Sequence, residues 1–317
     1  MMARKMHISQ GMQSINEFDI VFISYDEPNA EENYADLLTK VPWAKRVHGV
    51  KGSDAAHKEC AKLSETDRFI TVDGDNKIKN NFLKEEISFE DDVELENCVI
   101  SWAGKNEVNG LVYGNGGLKC WPKEYVLNMR THENADPDNE HAQVDFCWDL
   151  KYVQMNSCFS DVYNNATPQQ AWRAGFREGV KLSLNQGIKP NKDEFLNLHW
   201  RCLHWLYIWA MVGADVKNGD WAILGTRSAV YKTMCTDWDY VNVRDFEYLN
   251  DLWKSEFSSV EDVTNSSKDY GIKLINELRL PIDREPFTPG ASKFFKTIYQ
   301  QPDRVNRHKG LSGSGVK

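Results

Sequence analysis

Paired or regularly spaced cysteines are missing from this 317-residue sequence. Its seven cysteines, Cys60, Cys98, Cys120, Cys147, Cys158, Cys202 and Cys235, form no CxxC pair. That excludes a zinc framework and a disulfide scaffold and points to a reducing, cytoplasmic setting. Long apolar runs are missing as well. The start, MMARKMHISQG, lacks the apolar stretch of a secretory leader. The most apolar later segment, LHWRCLHWLYIWAMVG, is interrupted by Arg201 and His204 and is shorter than the ~20 residues of a membrane span, so a buried helix is expected and no membrane partner. No GxGxxG follows the first strand and no GxxxxGK[ST] occurs anywhere; GVKGS has its lysine on the wrong side of the glycine. Nicotinamide cofactors and P-loop chemistry are therefore disfavoured. DGDNKIKNNFLKEE fails as an EF-hand, because Ile78 stands where glycine is needed and Lys84 where the bidentate glutamate belongs. Positive charge is also in short supply: the formal net charge is −9. That argues against non-specific adhesion to nucleic acid. The acids concentrate in KEEISFEDDVELE and HENADPDNEHAQVDFCWD, whereas the tail from Ser292 carries Lys293, Lys296, Arg304, Arg307, Lys309 and Lys317 against Asp303 alone, a basic face on an acidic body. Internal repeats and low-complexity tracts are absent.

What is present suits one large domain or two modest ones. Hydrophobic residues make up 41% of the chain, ample for a core, and eleven tryptophans imply large packed apolar surfaces, partly around a ligand. DIVFISY (19–25) is a continuous run of β-formers, the pattern of a strand covered on both faces. Asn29 can cap a helix in which Tyr34, Leu37 and Leu38 share one side. The short strand RVHGV follows, then a helix opened by Ser53 with Ala56, Cys60 and Leu63 in register, then the strand RFITV. Strand, helix, strand, helix, strand implies a parallel sheet with right-handed crossovers, and ligands in such sheets gather beyond the carboxyl ends of the strands. Later, CVISWA and GLVYGNGGLKCW read as strands around turns, with GNGG as a glycine-rich turn; 167–184 is a helix, 199–212 an apolar helix, and GDWAILGTR a mixed segment.

The third strand ends in Asp73-Gly74-Asp75. Residues i and i+2 of an extended chain project to one face, and Gly74 removes a side chain that would crowd a bulky anion. Two hard oxygen ligands suit Mg²⁺ or Mn²⁺ with water and substrate phosphate completing the shell. The alternative is an Asp-Gly turn with solvated acids.

VFISYDEPN, AKRVHGVKGSDAAH, RFITVDGDN, YGNGGLKCWP and ATPQQAWRAGFREGVKLSLNQG together resemble bacteriophage glycosyltransferases of GT-A type, in particular the T-even-like phage enzymes that place arabinose on 5-hydroxymethylcytosine in DNA. The resemblance implies an α/β fold with a GT-A-like, mostly parallel central sheet flanked by helices, a nucleotide-sugar-binding core over 15–165 and a helical acceptor-side region over 166–317. It implies that Ser24, Tyr25 and Asp26 hold the base and ribose of a UDP-sugar. Lys51, Gly52 and Ser53, with His57 nearby, would approach the nucleotide or diphosphate, helped by the backbone N–H groups of a helix start. Asp73 and Asp75 match the DxD pair whose Mn²⁺ or Mg²⁺ bridges the diphosphate and neutralises the departing UDP. His308 in the tail would complete the metal shell and Lys309 meet the diphosphate; a surface histidine in a basic tail is the competing reading. Gly116, Gly117 and Lys119 in GNGGLK resemble the acceptor-side turn. Asp145 and Asp149, four residues apart, are the candidates for the general base, against solvated acids.

For a DNA acceptor the informative residues are Arg173, Arg177 and Lys181, which fall at i, i+4 and i+8 beside an apolar stripe of Trp172, Phe176 and Val180. An ordinary amphipathic surface helix, with Glu178 as ion-pair partner, explains the same pattern. The sequence thus leads to a UDP-sugar-dependent transferase acting on hydroxymethylated cytosine in the host cytoplasm. Its rivals are the same chemistry on a protein, glycan or small molecule, and a non-catalytic nucleotide-binding or interaction protein.

Overall fold

The computed structural model describes residues 12–88, 98–134, 138, 143 and 152–302, with the backbone alone at 114–116. Strands β2 (Asp19–Ser24), β3 (Lys45–His48) and β4 (Arg68–Asp73) alternate with helices α1 (Ala30–Lys40) and α2 (Ser53–Leu63), as the sequence pattern predicts. β2 lies between β3 and β4 and pairs in parallel with both, Val21 opposite Lys45 and Thr71. Side chains alternate between the two covered faces. Phe22, Ile70 and Val72 pack under Leu37 of α1, with Tyr34 and Leu38 beside it, while Val21 and Phe69 pack under Cys60 and Ala61 of α2. That double burial explains why these strands read as unbroken apolar runs.

The rest of the sheet corrects the expectation of a mostly parallel arrangement. β5 (Asn76–Ile78), β7 (Val99–Asn106), β8 (Val112–Pro122) and β9 (Tyr152–Val162) complete a seven-stranded sheet ordered β3-β2-β4-β8-β7-β9-β5, whereas β1 (Met12–Ser14) and β6 (Glu86–Ser88) pair separately. β8 runs antiparallel to both β4 and β7, β9 is parallel to β7, and β5 is antiparallel to β9, so the sheet is mixed. The cause is local. β7 and β8 form a hairpin closed by Asn106 N donating to Leu111 O (2.8 Å) with Gly110 at φ +77°, and a tight hairpin can only return antiparallel. The turn therefore lies at 107–111 and not at GNGG. The glycine-rich stretch is instead a bulge within β8: Trp102 faces Leu118 while Gly104 faces Tyr113.

Helices dominate the C-terminal half: α4 (Pro168–Leu182), α5 (Trp200–Met211), α6 (Gly219–Cys235), α7 (Phe246–Leu252), α8 (Val263–Leu278) and α9 (Pro289–Ile298), with the short α3 (Lys123–Asn128) after β8. α4 starts where Thr167 accepts from Gln170 N (3.2 Å) and Pro168 presets the first turn. The mixed segment around GDWAILGTR is one continuous helix, α6, buried on every side and hence without the polar face that periodicity detects. α4 and α6 cross with almost no side chain between them: a Cβ on Gly175 would sit 1.9 Å from Ala222 O, and one on Gly225 2.2 Å from Trp172 O. Thr226 Oγ1 donates to Gly175 O across the crossing (3.1 Å). Beneath it, Arg227 is wholly buried and donates to the carbonyls of Ala210, Ser267, Asp283 and Arg284. Among the described residues no helix is long and apolar enough to cross a membrane.

Candidate functional site

The carboxyl ends of β2, β3 and β4 open into one crevice. Its floor is the Asp73-Gly74-Asp75 turn between β4 and β5. Asn33 Nδ2 donates to Gly74 O (2.8 Å), Tyr163 N donates to Asp75 O (2.7 Å), and Asn76 Nδ2 donates to Asp75 Oδ1 (2.6 Å). The turn is thereby held by α1, by the residue after β9 and by its own neighbour. Gly117 closes over it from the β8 bulge, where a Cβ would lie 2.5 Å from Asp73 Cβ and 2.5 Å from Asn76 Nδ2. Only a glycine lets β8 run this close to the acid.

A third acid joins the pair. Glu27 Oε2 accepts from Tyr25 N (2.8 Å), and its carboxylate lies where a side chain on residue 74 would be, 2.7 Å from a Cβ placed there. The absent side chain at Gly74 thus makes room for Glu27, not for a ligand as the sequence suggests. Burial pushes all three carboxyls up: Asp73, with Lys119 and Arg177 pulling the other way; Asp75, to about 6, with Asp73 as the second cause; and Glu27, with Tyr25 N opposing. Two facing acids that resist ionising together are a ready place for a divalent cation. Asp73 and Asp75 bring hard oxygens to the turn, the donor chemistry that Mg²⁺ and Mn²⁺ take. Among the described residues no group of three or more His, Cys, Asp or Glu converges on one point, so this pair would leave most of the shell to substrate and water.

The other expected site residues fall around this floor. Ser24 is buried, and its hydroxyl lies 2.9 Å from His48 Nδ1 and accepts from Arg46 Nε (3.3 Å). Asp26 takes a bidentate pair from Arg173 (3.0 and 3.1 Å). Lys51 is exposed and ion-paired with Glu247 at 2.8 Å. Gly52 has φ +90°, and the first N–H groups of α2, on Ser53 and Asp54, donate to the carboxylate of Glu133 (2.6 and 3.3 Å). The helix start that the sequence offers to a diphosphate is thus met by an acid of the chain itself. His57 turns inward: Nδ1 is 2.8 Å from Ser53 O, the ring meets Trp121 edge-on, and burial lowers its pKa to about 4. Lys119 faces Asp73. At Gly116 the backbone alone is described. Asp145, Asp149, His308 and Lys309 lie outside the described residues.

Arg173 and Arg177 depart most from expectation. Of the expected basic stripe, Arg177 and Lys181 are half-buried and Arg173 is buried. Arg173 is 8% exposed. Both guanidinium groups lie over the ring of Phe246, 4.5 and 4.8 Å from its centre, and the charges of Glu178, Asp75 and Asp73 act on Arg177. Lys181 sits further along, near Glu178 at 4.0 Å. The glycine crossing with α6 dictates this orientation, since it fixes which side of α4 is left for the crevice. Beside Asp26, Arg173, Thr167, Gln170 and Asn250 line a polar cavity of about 270 Å³. Sequence reasoning missed Glu27, Glu133 and Phe246. Glu27 stood in plain view next to Asp26, whereas the other two are remote in sequence and nothing local marks them.

No family model matches this chain, and no curated protein does. Three solved chains match, among them the crystal structure of a glycosyltransferase involved in the glycosylation of the major capsid of PBCV-1, at 15% identity and a TM-score of 0.21. The match covers 34% of this chain and 62% of that one.

Proposed function

We propose that the chain is a metal-dependent glycosyltransferase that moves a sugar, arabinose in the first instance, from a UDP-sugar to 5-hydroxymethylcytosine in phage DNA. The observation that carries this reading is the turn at Asp73 and Asp75: two half-buried acids at the end of a central strand, roofed by Gly117 and open to the crevice. A Mg²⁺ or Mn²⁺ ion there would supply Lewis-acid charge to a diphosphate. The chain's own residues do the rest. Ser24 and Tyr25 close the nucleoside end, Lys119 balances Asp73, and the N–H groups of Gly117 and its neighbours give the sugar a surface without side chains. In the transfer, the bond from the anomeric carbon to the diphosphate oxygen breaks with its electron pair going to UDP. The acceptor oxygen forms the new bond and its proton passes to a carboxylate, for which Asp145 and Asp149 stand as candidates.

One observation favours a second reading, the same chemistry on an acceptor other than DNA. The burial of Arg173 and its pairing with Asp26 reduce the basic helix face that a duplex would touch, on a chain whose net charge is −9. Incubation with candidate UDP-sugars and hydroxymethylcytosine DNA, followed by mass spectrometry of the digested nucleosides, separates the two. A nucleoside heavier by one pentose, lost in Asp75→Asn, is the expected result; unmodified DNA alongside sugar release to other acceptors overturns the DNA assignment.

A further inference from the structure

A buried charge normally comes paired, because an unpaired one forfeits its hydration without return. Arg177, half-buried on α4, departs from that rule at one atom among the described residues. Its Nε is buried with no hydrogen-bond partner, and no carboxylate lies within ion-pair distance of its guanidinium. Its neighbour Arg173, one turn earlier on α4, is by contrast fully engaged by Asp26. Both lie over the ring of Phe246, a contact that holds the Arg177 guanidinium without using its N–H donors. Among the charges near enough to act on it, after Glu178 and Arg173, are those of Asp75 and Asp73 in the crevice. The backbone beneath cannot yield, since Gly175 and Gly179 hold α4 against the backbone of α6.

We infer that Arg177 is the anion receptor of the crevice, holding the non-bridging oxygens of the donor's diphosphate from the side opposite the aspartates. The inference rests on the transferase reading and deepens it: the ligand is a nucleoside diphosphate or its sugar ester, gripped between a cation held by two acids and a planar guanidinium held by an aromatic ring. Planar N–H donors match phosphate oxygens in pairs, which a lysine in the same place would not do. Arg177 is thereby a donor-binding residue and not a DNA contact.

The test is direct titration of UDP and of uridine, with and without Mn²⁺, into the wild-type protein, Arg177→Gln, Arg177→Lys and Asp75→Asn. Loss of a charge-assisted pair should weaken UDP by about 10- to 100-fold in Arg177→Gln. Uridine, which lacks the phosphates, should bind both proteins alike, and Arg177→Lys should recover part of the loss. Arg177→Lys also serves as the readable variant where Arg177→Gln does not fold. UDP binding by Arg177→Gln within twofold of wild type overturns the inference, as does an equal loss for uridine, the mark of a merely distorted site. The transferase reading fails separately, when Asp75→Asn keeps the full Mn²⁺-dependent gain in UDP affinity. Absence of any UDP binding by the wild-type protein overturns both.

Discussion

At the scale of single residues, the site depends as much on side chains left out as on those supplied. Gly117 lies against Asp73, and a methyl added to it would sit 2.5 Å from the acid's Cβ, a gap that would have to open by more than about 1 Å to reach ordinary contact. Gly117→Ala should therefore displace the acid or the bulge, with an overpacking cost of about 1–3 kcal/mol. The expected outcome is a folded protein with a lower melting temperature whose stabilisation by UDP no longer depends on Mn²⁺, read by thermal denaturation with and without the ion. His132 offers a test in pH. It is 7% exposed, and burial, with Arg177, Arg244 and Lys181 adding to it, lowers its pKa to about 4. In the unfolded chain the same ring titrates near about 6.5, so as pH falls the unfolded state takes up the proton first. Stability should drain away between those two values. From pH 7 to 5 the loss is about 2 kcal/mol, and His132→Gln should lose that much less over the same interval in denaturant titrations. That Asp73 and Asp75 stand at the end of the third strand was legible, although Asp75 lies in the turn beyond β4 and the alternation of a strand does not reach it. Glu133 and the Arg173–Asp26 pair were not, since their partners are brought together by the folded chain alone.

Among elements, the crossing of α4 and α6 decides what α4 shows to the crevice. Small residues at Gly175, Gly179 and Gly225 bring the two backbones into contact, and a methyl on Gly175 would meet a carbonyl oxygen at 1.9 Å. Gly175→Ala should destabilise the fold by at least about 2 kcal/mol and, by tilting Arg177, weaken UDP in the same variant; equilibrium unfolding and UDP titration measure the two effects. α4 itself was readable from Thr167-Pro168 and its helical spacing. Its apolar stripe of Trp172, Phe176 and Val180 was readable too, and all three are fully buried; the burial of Arg173 beside them was not, because arginines at helical spacing look like a solvent face. α6 hid for the opposite reason, being covered on all sides. The β-α-β-α-β start was readable throughout because each step is local. The reversal at β8 was not, since the order of strands in a sheet is set by pairings far apart in sequence.

For the whole molecule, charge and sheet together frame the acceptor question. With a net charge of −9 and Arg173 buried against Asp26, contacts to a duplex would fall to other basic residues. Were DNA the acceptor, its apparent affinity should fall with added salt by about 0.9 log unit per log unit of salt for each phosphate neutralised. Arg173→Gln should leave that slope unchanged, a point that modification rates at several salt concentrations settle. UDP with Mn²⁺ at a hundredfold excess over its dissociation constant should stabilise the wild-type protein by about 2.7 kcal/mol, and Asp75→Asn should abolish the part that needs the ion.

The two halves of the crevice are tied by a short relay of bonds. Tyr163 N reaches Asp75 O, Asn29 Nδ2 reaches Tyr163 O, and Gln170 Nε2 reaches Asn29 Oδ1. Asn29, read from the sequence as a helix cap, spends its amide on this span and makes no side-chain capping bond. The jaws of this protein are consequently riveted together: on the transferase reading, a donor entering them would find its seat already cut and would spend little of its binding energy on closing the mouth.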